Sequence, residues 1–311
     1  MKIRVVRPGD HTDADMEAVS GLLARVEQTS GYAPLSEHKR LDLVNGGRKG
    51  SVSCIATLDG RVIGYAHVAC DEGRVPRRCG MEIVVEPGQS GQGILEELAR
   101  TGLAAVAEDG GGQVHLWARH ATELDDERAA RLGFRPGRDL LQMTVALPLQ
   151  AAPPPLWTEG ISLRTFRPGS DEEAWLDVNR RAFAGHPEQG GWDRDALEQR
   201  KAEPWFDPAG FLIASDDASE TGDRIAGFCW TKVHPGATGE IYVIGVDDAY
   251  QGKGLGRSLV LAGLESLAER SMTTGMLYVD ASNTAAVGLY RSLGFEVHHV
   301  DRAYVIEITQ A

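Results

Sequence analysis

The chain of 311 residues repeats itself once, and that duplication limits its fold more than any other feature. Arg7-Pro8-Gly9 returns as Arg167-Pro168-Gly169, at an offset of 160. Val84-Val85-Glu86 aligns with Gly245-Val246-Asp247, and Arg131-Leu132-Gly133-Phe134 with Ser292-Leu293-Gly294-Phe295, both at 161. Between them, Ile63-Gly64-Tyr65-Ala66 resembles Ile225-Ala226-Gly227-Phe228-Cys229 at 162–163. A period this long marks a duplicated domain, since solenoid repeats run to only about 20–50 residues. Pro153-Pro154-Pro155 can continue neither a helix nor a central strand, so an extended spacer separates domains at 1–150 and 156–311.

Within the second copy strands and helices alternate. Strands are expected at 161–166, 211–214, 225–233, 240–246 and 276–279, and helices at 171–184, 256–270 and 283–293. Gly294 stands where a helix ends, before a last strand pair. The expected class is α/β (α+β), each domain a mixed, mostly antiparallel central sheet flanked by helices.

Composition narrows the partners. A hydrophobic fraction of 42% is globular, and a net charge of −13 argues against nucleic acid. No apolar run spans a membrane, and the start of the chain lacks a signal core, so a cytoplasmic protein with no membrane partner is expected. Cys54, Cys70, Cys79 and Cys229 are scattered, which reads as reduced thiols and no metal site.

The stretch Gln251-Gly252-Lys253-Gly254-Leu255-Gly256-Arg257 follows a strand and opens a helix. Glycines let backbone N–H groups crowd together, and with a helix N-terminus they make an anion site suited to a pyrophosphate. The nucleotide P-loop, GxxxxGK before Ser or Thr, does not fit, and neither does the dinucleotide GxGxxG in a parallel βαβ unit. A glycine turn with no ligand is the remaining plain reading.

The stretch does fit, at every fixed position, the Gln/Arg-x-x-Gly-x-Gly/Ala loop that binds acetyl-CoA in the GCN5-related N-acetyltransferases (GNAT). The later run Asn283 to Phe295, with Tyr290 and Leu293-Gly294-Phe295, also resembles that family. Phe183 to Trp192, Trp205-Phe206-Asp207-Pro208, Trp230 to Pro235 and Gly239 to Val246 resemble the tandem mycothiol synthase family of actinobacteria. The resemblance is dense in the second half and sparse in the first.

The resemblance implies two tandem GNAT domains and acetylation of the cysteinyl amine of cysteinyl-glucosaminyl-inositol by acetyl-CoA, the chain acting as a monomer. It places the base at Glu240, the acid at Tyr290, and an oxyanion donor on the backbone near Val246. Ile244, Gly245, Val246, Gln251 to Arg257, and Asn283, Thr284, Ala285, Ala286, Val287 and Gly288 would hold acetyl-CoA. Glu37, Glu188, Lys232, Glu240 and Tyr278 would hold the acceptor. Strand alternation puts Glu240, Tyr242 and Ile244 on one face. Another small amine, a protein N-terminus as acceptor, or a non-catalytic acyl-CoA sensor stay open as alternatives.

At an offset of 161 the loop maps onto Ser90-Gly91-Gln92-Gly93-Ile94-Leu95-Glu96. Leu95 obstructs close approach and Glu96 repels an anion. The same offset sets Cys79 where Glu240 stands and Ala129 where Tyr290 stands. The first domain is therefore expected to be catalytically silent, holding acetyl-CoA weakly at most, through the backbone of Ile83, Val84 and Val85.

Overall fold

A computed structural model describes residues 1–71, 77–89, 93–150, 153–184, 191–219 and 224–311. The first copy runs β1 (Lys2–Val6), α1 (Asp13–Ser30), α2 (Glu37–Val44), β2 (Ser51–Leu58), β3 (Arg61–Cys70), β4 (Arg78–Val85), α3 (Ile94–Glu108), β5 (Gly112–Ala118), α4 (Glu123–Arg131) and β6 (Arg135–Ala146). The second repeats it as β7 (Ile161–Thr165), α5 (Glu172–Ala182), α6 (Arg194–Lys201), β8 (Phe211–Asp216), β9 (Arg224–His234), β10 (Thr238–Val246), α7 (Leu255–Glu269), β11 (Thr274–Asp280), α8 (Thr284–Ser292) and β12 (Glu296–Ile308). The helix α6 was not expected; the Asp193 carboxylate caps it by accepting from the Ala196 N–H.

The chain forms two compact units, Met1–Leu140 with His299–Ala311, and Leu141–His298. Each thus takes its last strand from the other copy. The first unit has strand order β1-β2-β3-β4-β5-β12, and the second β6-β11-β10-β9-β8-β7. In place of the expected last strand pair, β12 is one continuous strand, because residues 296–308 contain no Gly, Pro or Asn to turn on.

Each unit has one parallel pair, β4 with β5 and β10 with β11, beside the antiparallel runs β1-β2-β3-β4 and β5-β12 in the first and β10-β9-β8-β7 in the second. The second unit buries apolar side chains on both faces. Leu255, Leu259, Val260, Leu264 and Leu267 of α7 and Tyr290 of α8 cover one. Trp175 of α5 and Leu197 of α6 cover the other, with Phe211, Phe228 and Trp230.

The strand β10 carries a bulge at Tyr242. Its pairing with β9 steps from Ile241–Thr231 to Val243–Trp230. Ile241 and Ile244 consequently pack under α7, whereas Tyr242 and Val243 both join the aromatic cluster on the other face. The expected alternation is corrected here: Glu240 and Tyr242 share a face, and Ile244 lies opposite, because one extra residue reverses the side of all that follow.

The first unit has no such bulge; β3 and β4 pair without interruption from Gly64–Val85 to Cys70–Cys79. Ahead of the bulge the copies therefore align at 160. Gly80, not Cys79, stands where Glu240 does, which corrects the register taken from sequence. The first unit still offers no carboxylate there: an added Cβ at Gly80 would sit 3.1 Å from the Lys39 Nζ. A second correction concerns the thiols. Cys70 and Cys79, opposite each other on β3 and β4, form a disulfide, while Cys54 and Cys229 are buried and free.

Candidate active site

The second unit opens its sheet beside the bulge. The parallel ladder between β10 and β11 ends at Ile241–Leu277, although β10 runs on to Val246 and β11 to Asp280. Beyond that point the β11-facing edge of β10 has no ladder partner. Such an edge can accept an extended amide-bearing ligand as a strand accepts another strand. It includes Ile244, Gly245 and Val246, three expected contacts.

At its end the chain turns into the glycine loop. The Asp247 carboxylate, buried and bonded to the Arg181 guanidinium, accepts from the Ala249 N–H and holds the turn. Burial pushes that carboxyl up, but the Ala249 N–H and Arg181 outweigh it and hold it below its ordinary range. Gln251 donates to the Asp248 carboxylate at 2.9 Å.

Gly254 begins α7 at φ +80°, a left-handed conformation that favours glycine. No side chain caps this helix, and its first turn has no acidic residue. Its leading N–H groups and positive dipole end are left for an external anion. Gly256 carries the fit further. An added Cβ there would meet only Val246 Cγ2, at 3.8 Å, so internal packing does not demand glycine. The open side does, if a diphosphate lies against the helix backbone. Lys253 and Arg257 add charge; Arg257 also donates to the Ser292 hydroxyl at 3.0 Å and ties α7 to α8.

The helix α8 begins at Asn283, whose side chain accepts from the Ala286 N–H. Thr284 to Gly288 form its first turns, and a Cβ at Gly288 would meet nothing. Tyr290 lies two residues further on and is buried beside Phe295. Burial pushes its phenol up to about 12.

Glu240 lies on the face opposite α7, only 7% exposed. It pairs in register with Lys232 on β9 and Met276 on β11. Its Oε2 is 2.6 Å from His234 Nε2. Lys232 holds its ammonium 4.2 Å above the Trp205 ring and 5.2 Å above that of Tyr242. Tyr278, two residues beyond Met276 on β11, accepts from the Gln142 amide at 2.7 Å, and His298 Nδ1 is 3.1 Å from the Gln142 Oε1. Glu240, Lys232 and Tyr278 are thus brought to one face.

Glu37 begins α2 in the first unit. Glu188 lies outside the described residues, as do Ser90, Gly91 and Gln92. Sequence reading missed His234, Trp205 as a platform for Lys232, and Gln142. The hairpin spacing of His234 and Glu240 was a usable signal. Gln142 gave none, since it precedes the spacer yet belongs to the second unit.

Comparison with known proteins places the chain in a family. Residues 173–295 match the Acetyltransferase (GNAT) family. The mycothiol acetyltransferase of Thermomonospora curvata is 44% identical, with 94% of each chain aligned. That of Streptomyces coelicolor is 41% identical over 97% of this chain and 98% of its own. The chain belongs to the mycothiol acetyltransferase family. Among solved structures, a GCN5-related N-acetyltransferase from Sphaerobacter thermophilus superposes with a TM-score of 0.70 at 25% identity, over all of this chain and 96% of the other. A tandem GNAT protein from the clavulanic acid pathway gives 0.75 over the whole of both chains at 18% identity, a likeness of fold. No described helix is long and apolar enough to cross a membrane, and no group of potential metal ligands occurs among the described residues.

Proposed function

We propose that the chain transfers an acetyl group from acetyl-CoA to the cysteinyl amine of cysteinyl-glucosaminyl-inositol, giving mycothiol and coenzyme A. The observation that carries the reading is the parting of β10 from β11 at Ile241–Leu277, which leads an open backbone edge into the uncapped start of α7. Residues 244–246, 251–257 and 283–288 would hold acetyl-CoA along that path. Glu240, Lys232 and Tyr278 suit an acceptor rich in hydroxyls.

The chemistry follows from the residues. Glu240 takes a proton from the acceptor amine, whose unperturbed value of about 7.7–8.0 asks little of a base. The amine nitrogen bonds to the thioester carbon, and a backbone N–H near Val246 donates to the developing oxyanion. The carbon–sulfur bond breaks, and Tyr290, kept protonated by burial, supplies the proton that the thiolate takes. The chain is expected to work as a cytoplasmic monomer without a metal.

The second unit is the catalytic one. In the first, α3 starts at an equivalent left-handed Gly93, but Glu96 and Glu97 occupy its first turn. The β4–β5 ladder likewise ends early, at Glu82–Trp117, so the backbone of Ile83, Val84 and Val85 is left for weak binding.

The deciding experiment supplies purified protein with acetyl-CoA and, separately, cysteinyl-glucosaminyl-inositol, an aminoglycoside, a polyamine and a protein N-terminal peptide. Release of coenzyme A is followed, and the acetylated product is identified by mass. Turnover of the first acceptor alone is expected. Preference for another amine would reassign the substrate, and acetyl-CoA binding without turnover would make the chain a sensor.

Two variants test the parts. Gly256→Leu, which copies Leu95, should weaken acetyl-CoA binding at least about tenfold, ~1.4 kcal/mol, by calorimetry; unchanged affinity removes the diphosphate from α7. Tyr290→Phe should lower kcat by about 10–100-fold with the KM for acetyl-CoA unchanged; an unaltered kcat removes Tyr290 as the acid.

A further inference from the structure

A proton taken by Glu240 must leave a carboxylate that is almost wholly buried. Its side chain is 9% exposed, whereas that of His234, 2.6 Å away, is 29% exposed. Fold geometry fixes the pair. His234 and Thr238 face each other across the β9–β10 hairpin, so the alternation of both strands puts the ring beside Glu240. The turn between them uses positive φ at Gly236 and Ala237, and the Ala237 carbonyl accepts from the Thr273 N–H, which anchors the hairpin to the start of β11.

We infer that His234 is a positioning residue and proton exit for Glu240, passing the proton released by the acceptor amine from the buried carboxylate to solvent. This rests on Glu240 acting as the base. As the new nitrogen–carbon bond forms, one amine proton moves to Glu240. It passes from Oε2 to His234 Nε2, and the ring yields one proton from Nδ1 to water. Exchange with water then restores the starting tautomer, so no charge accumulates. Imidazole is suited to the task because its two nitrogens can receive and release protons on opposite sides near neutral pH. Nδ1 makes no hydrogen bond within the described residues. Among the described residues, the other charged or titratable groups on that face are Lys232 on β9, Tyr242 on β10, Tyr278 on β11 and Arg200 on α6, which donates to the Tyr242 hydroxyl at 2.9 Å. Lys232 and Arg200 carry no acceptor for a proton, and both tyrosine hydroxyls are already bonded, to Arg200 and to Gln142.

The test uses the full chain with His234→Gln and His234→Ala, each checked for native circular dichroism. Gln can hydrogen-bond Glu240 through its amide but cannot carry a proton. It should lower kcat about tenfold, less than the 10²–10⁴ expected for loss of a base, with both KM values within twofold. Added imidazole should restore rate to His234→Ala in a concentration-dependent way, which a merely structural role would not permit. Wild-type kcat in His234→Gln from pH 6 to 9, or a folded His234→Ala that imidazole cannot rescue, overturns the relay. If His234→Ala does not fold, His234→Gln decides alone. A wild-type protein that acetylates none of the amines refutes the proposed reaction instead. The relay is then judged by nitrogen NMR of the resting protein: Glu240→Gln should move the His234 ring resonances, and unmoved resonances overturn it.

Discussion

Glu240→Gln is expected to lower kcat by about a hundredfold while acetyl-CoA binds as tightly as before. The substitution keeps shape and volume. Glu240 lies in the only part of β10 that is paired on both sides, with Lys232 on β9 and Met276 on β11, so the backbone has no freedom to move the new amide. Gln can still meet His234 and the acceptor with one oxygen and two N–H groups. What it lacks is the ability to take a proton. The loss should therefore fall on kcat, and on kcat/KM for the acceptor, and not on the Kd for acetyl-CoA, whose expected contacts begin at Ile244 on the opposite face. Single-turnover kinetics with calorimetry separate the two. A hundredfold loss of acetyl-CoA affinity at constant kcat would mean that Glu240 shapes the cofactor site. An unchanged kcat would remove it as the base.

How much of this was legible in the sequence depends on whether the signal was local. The loop Gln251–Arg257 was, because left-handed turns and helix starts announce themselves through glycine, and both Gly252 and Gly254 have positive φ. The helices α7 and α8 were, through their apolar spacing. The bulge at Tyr242 was not. It leaves no compositional mark, yet it reverses the faces of Ile244 and Val246 and changes the repeat offset from 160 to 161. No anchor falls on the short stretch of β4 and β10 ahead of the bulge, where the offset is 160, so the sequence did not show that Gly80, and not Cys79, answers to Glu240. The exchange of last strands was also hidden. A strand's neighbour depends on which edge is free when the sheet closes, and Gln142 carries no trace of belonging with Tyr278. The Cys70–Cys79 bond followed from hairpin register, which the scattered spacing of four cysteines did not disclose.

In the first unit the space beside Gly80 is filled by charge, and removing that charge should be costly. Lys39→Met should destabilise the chain by about 3–5 kcal/mol, a large share of a typical total of 5–15. Lys39 is 1% exposed and Glu82 4%; the Nζ lies 3.1 Å from Glu82 Oε1, and the Ser36 N–H donates to Oε2 at 2.7 Å. Burial alone would push the Glu82 carboxyl up, but Lys39 above all, with His38, Arg119 and the Ser36 N–H, pulls it down to about 2. With the ammonium gone, only the Ser36 N–H, His38 and Arg119 are left to offset the burial of the anion. The sign of the pH dependence then reverses. In the wild type a folded carboxyl near 2, below its unfolded value of about 4.3, adds stability that is complete above pH 4.3 and is lost as pH falls towards 2. In Lys39→Met the folded carboxyl rises above its unfolded value, so the deficit is largest at neutral pH and shrinks on acidification. Urea midpoints at pH 7 and pH 4 measure both effects. Lys39→Met with Glu82→Met should recover most of the loss, since two apolar side chains leave no unpaired charge. A single variant as stable as wild type at pH 7 would show that Glu82 reaches water and that the space beside Gly80 is not a dry, ion-filled one.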